Sequence, residues 1–166
     1  NVQTITDELS GPWGVEALRD GRFVVTQKSG AMRVVNTEAQ VLDPIDGLPS
    51  VASSGQGGLL DVAIDEATNP MTLCITFSKP RSGGENSTAA SCTTATGTDN
   101  LTIEPLQEVF QQEPSWASAQ HFGSRFIFDR QGHLFYAIGE RGVIENAQDL
   151  SKPTGKIHRV NDDGSV

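Results

Sequence analysis

The sequence DGRFVVTQKSGAMRVV, residues 20–35, contains two short apolar runs, each introduced by a turn signal. Asp20-Gly21 precedes the first run, and Ser29-Gly30 separates it from the second. Glycine supplies the positive φ angles that tight hairpins need, and β-branched or aromatic residues suit the pleated surface of a strand. The stretch therefore predicts a β-hairpin.

Two further segments repeat this order of turn and strand. In one, QGHLFYAIG at residues 131–139 is followed, after a loop, by GKIHRV at residues 155–160. In the other, LLDVAI at residues 59–64 is followed by an Asn69-Pro70 turn and MTLCITF at residues 71–77. Repeated antiparallel units cannot cover both of their faces alone, so they stack on one another as the blades of a β-propeller do.

At about 40 to 50 residues per blade, the chain holds roughly three blades of antiparallel strands. We therefore expect an all-β fold, a partial β-propeller that forms a single domain over residues 1–166. Because a closed propeller typically has at least four blades, two arrangements are open. Either the chain is the N-terminal part of a longer propeller, or its open edges pair with another copy. The turn signal at residues 162–166, which ought to lead into another strand, favours the first.

The charge of the chain limits the classes of partner. With 21 acidic and 12 basic residues the formal charge is −9, so nucleic acid and anionic membrane surfaces are disfavoured. No apolar run approaches the roughly 18 residues of a membrane span, and no signal-peptide pattern opens the chain. The chain begins with Asn1, which fits either a removed leader or a trimmed fragment.

Cys74 and Cys92 are the only cysteines. They lie in two runs, residues 71–77 and 87–96, that flank a polar turn and are expected to pair as a hairpin. On facing strands the two sulfurs would lie at disulfide distance. A disulfide in an oxidising compartment and two unpaired buried thiols are equally compatible with the sequence.

Four stretches, in this order and spacing, resemble the N-terminal portion of the soluble quinoprotein sugar dehydrogenases, also called PQQ-dependent aldose sugar dehydrogenases. They are GPWG at 11–14, GQGGLLDVA at 55–63, QHFGSR at 120–125, and GERG at 139–142 with AQDL at 147–150 and GKI at 155–157. The resemblance implies a six-bladed β-propeller that binds pyrroloquinoline quinone (PQQ) and calcium and oxidises aldose sugars at the anomeric carbon. It also implies a periplasmic or secreted oxidoreductase that passes electrons to an acceptor.

His121 is the candidate catalytic base. A neutral imidazole can remove a hydroxyl proton near neutral pH, and the resemblance places this residue as the general base of the family. Without the resemblance, a histidine flanked by Phe122 and Gly123 is more often a hydrogen-bonded structural residue. His133 and His158 lie inside strand patterns and are expected to be structural.

The resemblance implies three further site residues. Gln56, in a glycine-rich turn, is expected to contact the quinone cofactor, and Gln120 and Arg141 are expected to contact the sugar. For Arg141, a surface ion pair with Glu140 is an equal alternative. Two other charged residues receive structural roles: Arg125 is expected to brace the His121 loop, and Asp61 to bond locally at a turn.

Calcium ligands and most cations for the quinone carboxylates are expected beyond residue 166. We therefore expect the isolated 166 residues to be inactive or nearly so. A non-catalytic propeller that binds carbohydrate or protein through its loop face is the alternative function, since one fold hosts many activities. The dehydrogenase hypothesis requires the imidazole of His121 to face an open pocket on the same rim as the Gln56 amide.

Overall fold

A computed structural model of the chain describes residues 1–65, 71–129, 131–161 and 164–165. The expected turns at residues 69–70 and 162–166 fall wholly or partly outside these ranges. The strands are β1 (Pro12–Ala17), β2 (Phe23–Gln27), β3 (Met32–Val35), β4 (Leu59–Asp65), β5 (Met71–Pro80), β6 (Asn86–Thr96), β7 (Thr102–Ile103), β8 (Gln107–Gln111), β9 (Phe126–Phe128), β10 (His133–Ile138) and β11 (Lys156–Asn161). Two 3-10 turns, Ser82–Gly84 and Ile144–Ala147, are the helical elements of the described residues, and neither is long enough to cross a membrane.

The strands form three antiparallel sheets in chain order. The first sheet is β1-β2-β3, the second is β4-β5-β6-β7 with β8 also paired to β6, and the third is β9-β10-β11. The first strand of each sheet contacts the first strand of the next, β1 against β4 and β4 against β9. This radial arrangement confirms the predicted all-β fold, and the sheets are three blades of a β-propeller.

The core lies between the blades. On β5, Leu73 and Ile75 face the first blade, where they pack with Val24 and Val34. Cys74, between them in sequence, belongs to a second cluster that faces the third blade. Because successive side chains of a strand point to opposite faces, the middle blade is buried on both sides.

A threonine joins the first blade to the second. Trp13 and Gly14 on β1 lie opposite Thr26 on β2, so β1 carries a one-residue bulge. The hydroxyl of Thr26 accepts a hydrogen bond from Gly14 N at 2.8 Å and donates one to the carbonyl of Leu60 in the next blade. A single buried hydroxyl thus stabilises both the bulge and the contact between the blades.

The second blade has the same bulge and the same threonine hydrogen bonds. Leu60 and Asp61 on β4 form the corresponding bulge opposite Thr76 on β5. Thr76 Oγ1 accepts from Asp61 N at 2.9 Å and donates to Ser124 O, also at 2.9 Å, at the start of the third blade. The two threonines are therefore equivalent residues of successive blades.

In the third blade Ala137 occupies the threonine position, opposite Ser124 and Arg125. Asp61 and Arg125 consequently occupy equivalent places on successive inner strands. The Asp61 carboxylate is buried and accepts from Phe126 N at 2.8 Å and Arg125 Nη1 at 3.0 Å. Asp61 therefore joins two blades, in place of the local turn bond expected from the sequence.

Cys74 and Cys92 form a disulfide across β5 and β6. They are directly opposed in the β-ladder, with their Cα atoms 4.0 Å apart. The expected hairpin is present, and of the two alternatives that the sequence left open the structure has the disulfide.

Candidate active site

His121 lies in the connection between β8 and β9, next to Gln56 in the loop before β4. We call the end of the propeller formed by these two loops the rim. Its backbone N–H donates a hydrogen bond to Gln56 Oε1 at 2.7 Å. The His121 side chain is 43% exposed, so the imidazole is open to solvent. The structure therefore brings together the two groups that the dehydrogenase hypothesis requires on one rim.

The Gln56 loop fits closely against the His121 loop. Gln56 N donates to Ala119 O at 2.7 Å, and a Cβ atom on Gly55 would lie only 2.4 Å from the same carbonyl oxygen. Glycine is therefore required at position 55 for the two loops to meet. Because Gln56 Oε1 is occupied by His121, the side-chain Nε2 remains as the donor that Gln56 presents to the rim.

Glu140 is the residue that sequence reasoning did not assign to the site. Its Oε1 accepts a hydrogen bond from His121 Nδ1, and this interaction is the main reason that the pKa of the Glu140 carboxyl is lowered. An ionised carboxylate only accepts, so Nδ1 carries a proton, and in the neutral imidazole the lone pair is then on Nε2. Nε2 makes no hydrogen bond with the described part of the chain and is free to accept a proton.

The loop after β10 approaches His121 closely enough to explain this pairing. A Cβ atom on Gly139 would lie 2.1 Å from His121 O, so only glycine fits there. Glu140 follows directly, and its carboxylate also accepts from Gly142 N at 3.3 Å. The sequence signal for this role was a carboxylate next to a glycine at the end of a strand.

Gln120 is exposed beside His121. Its Nε2 lies 2.8 Å from the place where a Cβ of Gly142 would stand, and its side chain makes no hydrogen bond among the residues described. The amide is therefore available to a ligand at the rim, and its contact with sugar stays a prediction.

Arg141 is placed differently from the expectation of a substrate contact or a surface ion pair. It is only 1% exposed, and its guanidinium bonds to Asn86 Oδ1 and to Ser118 O at 2.6 Å. Burial lowers the pKa of its side chain to about 10. Since the guanidinium has no face toward solvent, Arg141 braces the His121 loop, the role that the sequence analysis gave to Arg125.

The other two histidines have structural partners. His133 Nδ1 lies 2.8 Å from Asp129 Oδ2. The ring of His158 stacks on Tyr136 with centroids 5.1 Å apart, and its Nε2 lies 2.7 Å from Pro153 O. Trp13, in the GPWG stretch on β1, is 52% exposed.

The chemistry of the rim fits one edge of a planar, acceptor-rich cofactor such as PQQ. Gln56 Nε2 supplies a donor and His121 Nε2 a base, and the two loops that carry them are fixed to each other. Residues 1–65, 71–129, 131–161 and 164–165 contain no group of three or more His, Cys, Asp or Glu side chains arranged for a metal ion. Calcium ligands beyond residue 166 stay a prediction.

Comparisons with known proteins agree with this fold. The family model for glucose/sorbosone dehydrogenase matches residues 9–166. The aldose sugar dehydrogenase YliI of Escherichia coli K12 is 32% identical over 169 residues, covering 100% of this chain and 45% of the relative.

Two solved structures extend the comparison. The soluble aldose sugar dehydrogenase of Escherichia coli in its apo form is 32% identical, with a TM-score of 0.92 over 100% of this chain and 48% of that one. The PQQ-bound aldose sugar dehydrogenase of Streptomyces coelicolor is 25% identical, with a TM-score of 0.76 over 98% and 48%. The chain thus spans a little under half the length of these relatives. It belongs to the soluble PQQ-dependent aldose sugar dehydrogenase family, the glucose/sorbosone dehydrogenases.

Proposed function

We propose that the protein that carries this chain is an oxidoreductase that oxidises aldose sugars at the anomeric carbon, with His121 as general base. The observation that carries the proposal is the pairing of His121 Nδ1 with Glu140, which leaves Nε2 open on the rim shared with Gln56. The aldose sugar dehydrogenases among its relatives, one of them PQQ-bound, support the same reaction class.

The reaction removes a proton and a hydride from the sugar and leaves a lactone. His121 Nε2 takes the proton of the anomeric hydroxyl while the hydride leaves C1. PQQ, when bound, supplies the two-electron acceptor for that hydride. Glu140 holds the imidazole in its Nδ1–H tautomer and stabilises the imidazolium that forms, as a carboxylate does for a catalytic histidine in other enzymes.

The two glutamines have distinct roles in this proposal. Gln56 Nε2 donates to an acceptor atom of the quinone, because its Oε1 is already bonded to the His121 backbone. Gln120, exposed beside His121, hydrogen-bonds a sugar hydroxyl. The sugar contact of Arg141 does not enter the proposal, since the guanidinium is buried.

The proposal includes a periplasmic or secreted location, and the Cys74–Cys92 disulfide supports it because disulfides persist in oxidising compartments. Calcium, the cations for the quinone carboxylates and the surface for the electron acceptor come, in this proposal, from residues outside the chain. The isolated 166 residues are then inactive or nearly so, which a dye-reduction assay with PQQ, calcium and glucose checks.

The test of the general base is His121→Ala in the complete protein, assayed by dye reduction with glucose and by titration with PQQ. We expect oxidation to fall by at least about 100-fold while PQQ still binds, because a general base contributes about 10²–10⁴-fold. His133→Ala, which removes a histidine paired with Asp129, is the matched control and retains activity. Retained activity in His121→Ala would remove this residue from the mechanism.

A further inference from the structure

A single buried side chain holds both ends of the segment that carries His121. Arg141 Nη2 donates to the carbonyl of Ser118 at 2.6 Å, before the segment. The guanidinium carbon of Arg141 lies 3.6 Å from the ring centroid of Phe122, directly after His121. The Arg141 guanidinium therefore fixes the path of residues 119–121 by holding the residue on either side of them.

The same guanidinium ties this segment to the middle blade. Arg141 Nη2 donates to Asn86 Oδ1, and Nη1 lies 3.5 Å from Thr88 Oγ1, both on β6. The Thr88 hydroxyl lies 3.3 Å from Phe122 O, so β6 contacts the segment directly as well. Since Arg141 itself follows β10, it joins two blades under the rim.

The backbone at His121, and at Arg141 directly after Glu140, needs such support. His121 has a φ of 54° and Arg141 a φ of 62°, in the left-handed region that side chains other than glycine seldom adopt. Such conformations persist when the surrounding structure holds them. Glu140, the partner of His121, is bonded covalently to Arg141, so one residue constrains both members of the pair.

We infer that Arg141 is a positioning residue: its guanidinium fixes the His121 loop relative to Glu140, so that Nδ1 stays hydrogen-bonded and Nε2 faces the rim. The effect on catalysis rests on the proposed function, but the effect on the imidazole does not. Among the described residues Arg141 has no carboxylate partner, and its Nε has no hydrogen bond. An unpaired buried charge is a costly way to stabilise a fold, which favours a role in the site.

Arg22 provides a control for the loss of a buried arginine, although it differs from Arg141 in pairing with a carboxylate, that of Asp20, at 2.8 Å. It is also buried, at 6% exposed, and also donates to backbone carbonyls, those of Gly97 at 3.1 Å and Asp99 at 3.0 Å. Those acceptors lie in the turn between β6 and β7, away from the segment that carries His121. Loss of Arg22 therefore removes a buried arginine without touching the His121–Glu140 pair.

The imidazole tautomer is the direct readout. In the complete protein labelled with ¹⁵N-histidine, NMR should show the neutral imidazole of His121 as the Nδ1–H tautomer, with its resonance assigned by His121→Asn. We expect Arg141→Lys and Arg141→Gln to convert this signal to that of an averaged, exchanging imidazole, while Arg22→Lys leaves it unchanged. Asn86→Ala, which keeps Arg141 but removes one acceptor, should give a partial change and covers the case in which Arg141→Gln fails to fold.

An unchanged His121 signal in a folded Arg141→Lys variant would overturn the inference. Steady-state kinetics separates the test of this inference from the test of the proposed function. We expect Arg141→Lys to lower kcat for glucose by about 10- to 100-fold, as misplacement of a reacting group does, with KM changed less than about threefold. If His121→Ala stays active while Arg141→Lys still alters the imidazole signal, the positioning stands and the proposed function falls.

Discussion

The backbone N–H of His121 donates to the side-chain Oε1 of Gln56 at 2.7 Å, and this bond orients the amide of Gln56. With the oxygen turned toward the His121 backbone, the NH₂ group is left to face outward. A residue expected only to contact a cofactor thus also fixes the loop of the candidate base. Gln56 and His121 form one unit, built from two loops that are 65 residues apart in the chain.

Gln56→Glu separates the two roles of this side chain. A glutamate keeps an acceptor for His121 N but replaces the outward donor with a negative oxygen. We expect PQQ affinity in the complete protein to fall by at least about tenfold, because one hydrogen bond is lost and a negative oxygen replaces its donor. Fluorescence titration with PQQ measures this, with exposed Gln131→Glu as the charge-matched control. Equal affinity in the two variants would show that Gln56 does not donate to the cofactor.

Glu140→Gln should lower the rate without unfolding the site. The amide oxygen can still accept from His121 Nδ1, but the charge that stabilises the imidazolium is lost. We expect kcat for glucose to fall by at least about tenfold, in the direction seen when a triad carboxylate is replaced by its amide. A kcat equal to that of the unmodified protein would leave Glu140 with a structural role alone.

The same variant predicts a pH-dependent difference in stability. The pKa of Glu140 is lower in the folded state, chiefly through the bond from His121. A depressed carboxyl pKa contributes stability that is present above the unfolded pKa and lost as the pH falls through the folded one. In urea unfolding, Glu140→Gln should have a lower free energy of unfolding than the unmodified protein at about pH 7. This difference should disappear toward about pH 3. A difference in stability that stays constant from about pH 7 to about pH 3 would contradict this assignment.

Thr76→Val should destabilise the contact between the second and third blades. The valine retains the shape of the side chain but leaves the Asp61 N–H and the Ser124 carbonyl without the hydroxyl that joins them. We expect a loss of about 1–3 kcal/mol in the free energy of unfolding, the cost of unsatisfied buried polar groups. Thr76→Ser keeps the hydroxyl and should lose clearly less. Equal losses in both variants would show that packing, and not the hydroxyl, matters at this position.

The disulfide should contribute measurably to stability. Cys74 and Cys92 are separated by 18 residues, and closing a loop of this size stabilises by about 3 kcal/mol. The double variant Cys74→Ala/Cys92→Ala should lose about that amount in chemical denaturation. A denatured sample without reductant should show no free thiols, whereas two reactive thiols would contradict the disulfide.

The sequence predicted the blades because strand and turn signals are local. Glycine turns at residues 20–35 and 131–139 set the hairpins, and alternating apolar residues set the faces that pack. The nearness of Gln56 and His121 followed from the family resemblance, and not from any feature of either segment alone.

The roles of Glu140 and Arg141 could not be predicted from sequence because they depend on which neighbour each side chain meets. Adjacent residues of opposite charge suggested a surface pair, but Arg141 is buried and bonds to Ser118 O, and Glu140 meets His121. Asp61 is a similar case, since its partners Arg125 and Phe126 belong to another blade.

Chemical rescue of His121→Ala tests the central claim most directly. Dye reduction with glucose is measured in the complete, PQQ-loaded variant while imidazole is added at fixed pH. We predict turnover close to zero without imidazole, and a rate that rises with the concentration of the free base as it replaces the missing Nε2. Turnover at the unmodified rate in the absence of imidazole would contradict it.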